Sequence, residues 1–257
     1  MKQFLSELII NMINKIKRNF NKIKYKIFNV FGSEDYTQFI VLTRSRTGSN
    51  MLISRLDSHP NIRAEGEIFN RLNGIDYNKK LRDIHGKQSP NIKASGFKIF
   101  YYQPLDMPES KLWDELKNNS KLKVVQLCRK NLLEVAVSRK IAGQSNVWAQ
   151  TKDIKKTKNS VTFTFDELKS DFENTTGQES KGYQDFEGKI YKVYYEDLVS
   201  QTDEEMNRIF EFLKVEECKT GTLLKKQNNQ TLREVIVNYD DLKDKFKGTQ
   251  WENFFVD

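Results

Sequence analysis

Between residues 38 and 57 the chain runs Gln-Phe-Ile-Val-Leu-Thr, breaks into Arg-Ser-Arg-Thr-Gly, and resumes as Ser-Asn-Met-Leu-Ile-Ser-Arg-Leu-Asp. An apolar, β-branched run, a basic turn with one glycine and an apolar helical pattern in direct succession predict a strand over 38–43, an anion-binding loop and a helix over 49–57. The free N–H groups at such a helix start converge on one spot, where the helix dipole favours negative charge. The loop lacks the chemistry of a nucleotide kinase. Aligned on Gly48 with G-x-x-x-x-G-K-[ST], Thr43 stands for the first glycine, Ser49 for the lysine and Asn50 for the Mg²⁺-binding hydroxyl. Arg46, Thr47, Gly48, Ser49 and Asn50 are thus candidate holders of a phosphate-like group, without the lysine and hydroxyl of an ATPase.

Strand and helix patterns alternate from there on. Gly-Phe-Lys-Ile-Phe-Tyr-Tyr (96–102), Leu-Lys-Val-Val-Gln-Leu-Cys (122–128) and Lys-Ile-Tyr-Lys-Val-Tyr-Tyr (189–195) read as strands. Helices are predicted near 109–118, across 132–142 and over 201–213, the last with Asp203 and Glu204 at its positive end. Residues 71–92 show no period and read as loop. This alternation predicts an α/β fold, a P-loop-type three-layer sandwich whose mostly parallel central sheet is flanked by helices. A chain of 257 residues without internal repeat or Pro/Gly-rich linker fits one such domain, over 36–257, preceded by an extension over 1–35.

That extension carries most of the charge. The formal net charge is +8, and residues 1–30 hold seven basic residues against Glu7, so +6 of it lies there. A basic chain invites a nucleic-acid reading, but charge confined to one end and the lack of a recognition motif exclude it. Leu5, Ile9, Met12, Ile13, Ile16, Phe20, Ile23 and Ile27 recur at helical spacing between the lysines. The pattern suits a basic amphipathic helix on an anionic membrane surface, or a helix packed on the domain. It has neither the cleavage site of a signal peptide nor the apolar length of a transmembrane span. Cys128 and Cys218 form no C-x-x-C pair, which fits a reducing, cytoplasmic setting. With two histidines only, no metal cluster is expected, and His59 in Ser-His-Pro suits a turn.

A second anion site follows the 122–128 strand. Arg129 sits just past it, with Lys130 beside it, and Ser138 lies within the following helix. A guanidinium fork and a hydroxyl both suit phosphate oxygens. Two anion sites at neighbouring strand ends imply a ligand with two separated phosphates.

Taken in order, Arg46-Thr-Gly-Ser49, Arg129…Ser138 and the later Lys-Val-Tyr-Tyr-Glu-Asp-Leu resemble the sulfotransferases that use 3′-phosphoadenosine-5′-phosphosulfate (PAPS). The bacterial branch containing trehalose and Nod-factor sulfotransferases is most similar. Ser-His-Pro-Asn-Ile-Arg-Ala-Glu-Gly-Glu-Ile-Phe (58–69), Ser138-Arg-Lys-Ile-Ala-Gly-Gln-Ser-Asn-Val-Trp148 and Leu232-Arg-Glu-Val-Ile-Val-Asn-Tyr239 match its style, and the resemblance spans roughly residues 38–255.

The resemblance implies that Arg46, Thr47, Gly48, Ser49 and Asn50 hold the 5′-phosphosulfate and that Arg129 and Ser138 hold the 3′-phosphate, with Lys130 the alternative to Arg129. Gln227 and Lys225 or Lys226 would reach the nucleotide from a late basic loop. The animal cytosolic enzymes use a histidine base two residues after a lysine in a strand; here Lys98 is followed by Phe100, which has no basic group. The trehalose branch uses a glutamate, so the resemblance implies Glu67 as base, with Glu65 close by. Lys98 would stabilise the transferring sulfuryl group or be an exposed strand residue. The implied reaction is metal-free transfer from PAPS to a hydroxyl of a carbohydrate or glycolipid, leaving PAP. The relatives also make a homodimer an open assembly state. A P-loop kinase and a non-catalytic binding protein on the same fold are the competing readings. Acceptor choice is expected in loops over 70–95 and 143–186, where Tyr77, Trp148, Phe163, Phe165 and Tyr183 could stack on sugars or pack in the core.

Overall fold

A computed structural model describes residues 32–145, 160–221 and 230–255. The predicted N-terminal amphipathic segment, Trp148 and the basic loop with Lys225, Lys226 and Gln227 lie outside them.

Five strands, β1 (Thr37–Thr43), β2 (Ile62–Glu65), β3 (Ala94–Phe100), β4 (Leu122–Cys128) and β5 (Ile190–Tyr194), form one sheet in the order β2-β3-β1-β4-β5. Every pairing is parallel, with registers such as Thr37↔Ala94, Gln38↔Leu122 and Val124↔Ile190. From β1 the chain goes out to the edge strand β2, comes back to β3 between β2 and β1, and then crosses to β4 and β5 on the other side of β1. That reversal places the topological switch point, where α/β sheets bind ligands, beside the loop that leaves β1.

Alternation along the strands fills two apolar layers. Phe39 and Val41 of β1 face Leu52 and Leu56 of α1 (Ser49–Asp57) and Met206, Ile209 and Phe210 of α7 (Thr202–Leu213). Ile40 and Leu42 face the opposite layer, with Ile84 of α2 (Tyr77–His85) and Leu112 and Leu116 of α3 (Leu112–Asn118). A third cluster joins α4 (Leu132–Ser145), α5 (Phe165–Asp185), α8 (Leu232–Val235) and α9 (Tyr239–Phe246) through Phe172, Phe246 and Trp251. A short α6 (Tyr195–Ser200) continues directly from β5.

The predicted α/β sheet and the helices after β1 and β4 are present, but four readings need correction. Within 71–92, expected as loop, lies α2. Asp76 caps it by accepting from the Asn78 N–H at 2.9 Å, and Tyr77, Leu81 and Ile84 face the core at i, i+4, i+7, a short apolar period set among charged residues. Within 143–186, expected as acceptor loop, lies the 21-residue α5, opened by a capping box in which Thr164 and Glu167 bond each other's backbone. Strand β2 was not anticipated: with only Ile62 and Ala64 buried, it is too short for a pattern to register. The β3 strand also begins and ends two residues earlier than 96–102.

Helix α5 comes close to the sheet at Gly182, where an added Cβ would lie 2.7 Å from the Tyr101 ring and 3.1 Å from Leu42. Gly182→Val should force these layers apart and destabilise the fold by about 1–3 kcal/mol, read as a lower midpoint in urea unfolding. His59 is buried at a turn: Nδ1 accepts from the Asn61 N–H, and Nε2 lies 2.9 Å from the Glu216 carbonyl. Cys128 and Cys218 are both free, and burial pushes the Cys128 thiol up. Among the described residues no helix is long and apolar enough to cross a membrane.

Candidate active site

The loop after β1 is braced by hydroxyls. Thr43 Oγ1 donates to the Leu127 carbonyl of β4 at 2.7 Å and lies 2.6 Å from Thr47 Oγ1. Thr47 in turn donates to the Arg44 carbonyl at 2.9 Å, so its hydroxyl serves the shape of the loop. Arg46 and Gly48 both take positive φ, 69° and 89°. The turn sets Gly48 as N-cap of α1 with no side chain capping that end. The first N–H groups of α1 accordingly have no intrahelical acceptor and are available to an anion.

Gly48 admits no other residue without rearrangement. A Cβ there would lie 2.2 Å from Cδ2 of Tyr195, the first residue of α6. The same ring lies under the Arg129 guanidinium, 4.3 Å from its centroid. Tyr195 therefore joins the two sequence-predicted anion sites, a role the sequence did not reveal. Its position as the last residue of the predicted 189–195 strand was the available signal, since ligands collect at strand carboxyl ends; in the structure β5 ends at Tyr194.

Two predicted residues meet directly: Arg46 Nε donates to Ser138 Oγ of α4 at 3.0 Å. Burial lowers the pKa of the Arg46 guanidinium from its ordinary value. Arg129 does not bond to Ser138. Its Nε donates to Glu196 at 2.8 Å and its Nη2 to Glu134, and the side chain is 10% exposed. Lys130 points into solvent and pairs with Asp197.

On the other side of the loop, four side chains form a chain. Lys98, in the middle of the sheet and 3% exposed, donates to Asn50 Oδ1 and pairs with Glu67 Oε1 at 2.8 Å. Glu67 Oε2 accepts from Gln103 Nε2 at 3.0 Å. Gln103 is itself held by the Phe100 N–H, which donates to Oε1 at 3.0 Å and so turns the amide N–H group toward the carboxylate. Lys98 is thus a buried cation and not an exposed strand residue. Glu65 is excluded from this chain, because it pairs with Arg63 at 3.1 Å on β2. Gln103, which no sequence pattern singled out, fixes the carboxylate that was singled out.

A third cluster escaped the sequence reading. Arg44, 8% exposed, donates to Thr175 of α5 and lies 3.5 Å from Asp171, which also pairs with Arg139 at 2.6 Å. Burial and then the Arg139 charge lower the pKa of Arg44. Asp171 of α5 thus holds both guanidinium groups beside the loop. No group of acidic, His or Cys side chains suited to a metal occurs among the described residues.

The arrangement comprises a turn with uncapped helix-start N–H groups, two further cationic groups and a carboxylate fixed beside the turn. It is suited to passing a charged group from a phosphate-bearing donor to an acceptor. A family model described as the sulfotransferase domain matches residues 36–255. Nodulation protein H of Rhizobium tropici is 25% identical over 234 residues, covering 84% of this chain and 92% of that protein. Among solved structures, a sulfotransferase from Alicyclobacillus acidocaldarius is similar at 11% identity and a TM-score of 0.47, over 81% of this chain and 90% of that one. A mouse sulfotransferase complexed with PAP is similar at 12% identity and a TM-score of 0.45, over 87% and 88% of the two chains. Since the family match runs from the residue before β1 to the end of the C-terminal cluster, and so takes in the loop, the Arg129 site and the Lys98–Glu67 pair together, the chain belongs to the sulfotransferase domain family and is a sulfotransferase.

Proposed function

We propose that the protein transfers the sulfuryl group of PAPS to a hydroxyl of a carbohydrate or glycolipid acceptor, with Glu67 as general base and without a metal. The observation that carries this reading is the chain Asn50–Lys98–Glu67–Gln103, which ties a carboxylate to the anion-binding turn. The carbohydrate class rests on the likeness to nodulation protein H.

In this reading Arg46, Thr47, Gly48, Ser49 and Asn50 hold the 5′-phosphosulfate through loop N–H groups and the Arg46 fork. Arg129 and Ser138 hold the 3′-phosphate, and Gln227 with Lys225 or Lys226 reaches the nucleotide. The acceptor oxygen forms a new S–O bond, and the S–O bond to the 5′-phosphate breaks. The released electron pair stays on the phosphate oxygen of PAP, and the hydroxyl proton passes to Glu67. Charge grows on the bridging oxygen, and Lys98, buried and bonded to Asn50 of the turn, is a cation suited to offset it. Because Lys98 now pairs with Glu67, moving its ammonium toward the sulfuryl group would free the carboxylate for the proton. The enzyme is taken to be cytoplasmic, a 36–257 domain whose N-terminal extension touches a membrane surface peripherally; a homodimer is compatible with this reading.

Incubation with ³⁵S-labelled PAPS and a glycan array tests the reaction: label on saccharide hydroxyls supports it, and label on no saccharide overturns the acceptor class. Donor choice has a separate readout. PAP should raise the thermal midpoint by several degrees at about 100 times its Kd, equivalent to about 2.7 kcal/mol, whereas Mg·ATP should not.

A further inference from the structure

In a parallel sheet all strand starts share one edge, and here that edge is basic. Lysine immediately precedes β3, β4 and β5, as Lys93, Lys121 and Lys189. Because β3, β1, β4 and β5 are consecutive neighbours, these positions are spaced across the base of the sheet at about 4.8 Å per strand. Lys123 of β4 and Lys214, which ends α7, complete an open groove of about 560 Å³ in which Asp35 is the one acidic residue. Lys93, Lys121 and Lys214 are exposed and enter no ion pair among the described residues. The other two lysines are tied to backbone: Lys189 Nζ donates to the Lys117 and Asn119 carbonyls at 2.7 and 3.0 Å, and Lys123 Nζ to the Phe212 carbonyl. Partial burial, and then the charge of Lys214, lower the pKa of Lys123, as expected where cations gather without counter-charge.

The described chain approaches β1 at the same edge. Residue 32, where the described chain begins, lies five residues before β1, and Tyr36 and Thr37 line the groove. The +6 carried by residues 1–30 offers these lysines no counter-charge, which favours an external anionic partner. Apolar residues at helical spacing in that segment favour a lipid surface over a polyanion in water.

We propose that the base of the sheet is a docking surface for an anionic lipid bilayer, with the lysines of the folded domain adding to the contact made by the N-terminal segment. This goes beyond a membrane role for that segment alone, and it does not depend on the donor or acceptor. Each lysine near an anionic leaflet contributes about a fivefold gain in binding. In sedimentation with vesicles, the full chain should bind phosphatidylcholine mixed with phosphatidylglycerol and not phosphatidylcholine alone, and high salt should release it. The full-length triple variant Lys93→Ala/Lys121→Ala/Lys214→Ala should bind the mixed vesicles about a hundredfold more weakly while keeping the wild-type thermal shift with PAP. Undiminished binding by that variant would confine docking to the N-terminal segment and overturn the proposal. So would equal wild-type binding to neutral vesicles, or tighter binding to duplex DNA than to mixed vesicles. Loss of the PAP shift in the wild type would count against the donor reading and leave the vesicle result intact.

Discussion

Glu67→Gln should lower turnover by about 10²–10⁴-fold, the usual contribution of a positioned general base, with little change in PAP affinity. The amide has nearly the same shape as the carboxylate and can still accept from Lys98 through its oxygen, so the pocket should persist. The contact that changes is with Gln103, whose Nε2 now donates to Glu67 Oε2 at 3.0 Å and would meet an N–H₂ group. Turnover is measured with labelled PAPS on an acceptor identified from the array, and PAP affinity by calorimetry. Full activity in Glu67→Gln would remove Glu67 from the mechanism. Glu65→Gln is the internal control: its ion pair with Arg63 lies on β2 and outside the network, so activity should stay within a few-fold of wild type.

The second large effect is expected at Gly48. Alanine there would have to tolerate a φ of 89° and a Cβ that meets the Tyr195 ring at 2.2 Å. The left-handed conformation costs a non-glycine residue about 1–2 kcal/mol, and the steric clash about 1–3 kcal/mol more. Relief would come by moving Tyr195, on which Arg129 rests. Gly48→Ala should therefore lower the thermal midpoint by about 4–20 °C, at about 2–4 °C per kcal/mol for a domain of this size, and abolish the PAP-induced shift. In the double variant Gly48→Ala/Tyr195→Ala the steric part should be recovered in the midpoint, leaving the backbone part. If Gly48→Ala alone matches wild type in both readouts, the close packing of turn and ring has no functional weight.

How far the sequence disclosed this site depends on the kind of contact involved. The turn at Arg46–Asn50 and its helix were legible because local grammar determines them: a β-branched run, a glycine at positive φ and an apolar helical period. The strands over 122–128 and 190–194 were legible for the same reason, being mostly apolar or aromatic. Helix α2 was not, since its apolar period is only three residues, Tyr77, Leu81 and Ile84, set among polar and charged neighbours. In α5 the buried positions Leu168, Phe172, Thr175 and Gly182 include a polar residue and a glycine, so its inward face does not look apolar. Within the site, Arg46, Ser138, Lys98 and Glu67 could be named from type and order. Tyr195, Gln103 and the Arg44–Asp171–Arg139 cluster could not, because their roles arise from contacts across large separations. Arg44 and Thr175, for instance, are 131 positions apart.

The parallel sheet also acts as a ruler. Its starts carry the lysines and its ends carry the turn, and β1 is seven residues long. At about 3.3 Å per residue the two poles stand roughly 23 Å apart. A bilayer held at the lysine pole would leave the sulfuryl group well above the headgroups, facing away from them. Such an enzyme would reach hydroxyls on soluble saccharides, or on the outer units of a long lipid-borne glycan, and would pass over the sugar directly joined to lipid. Sulfation of free oligosaccharides, compared with the same sugars bearing a short lipid in a vesicle, would show this height requirement directly.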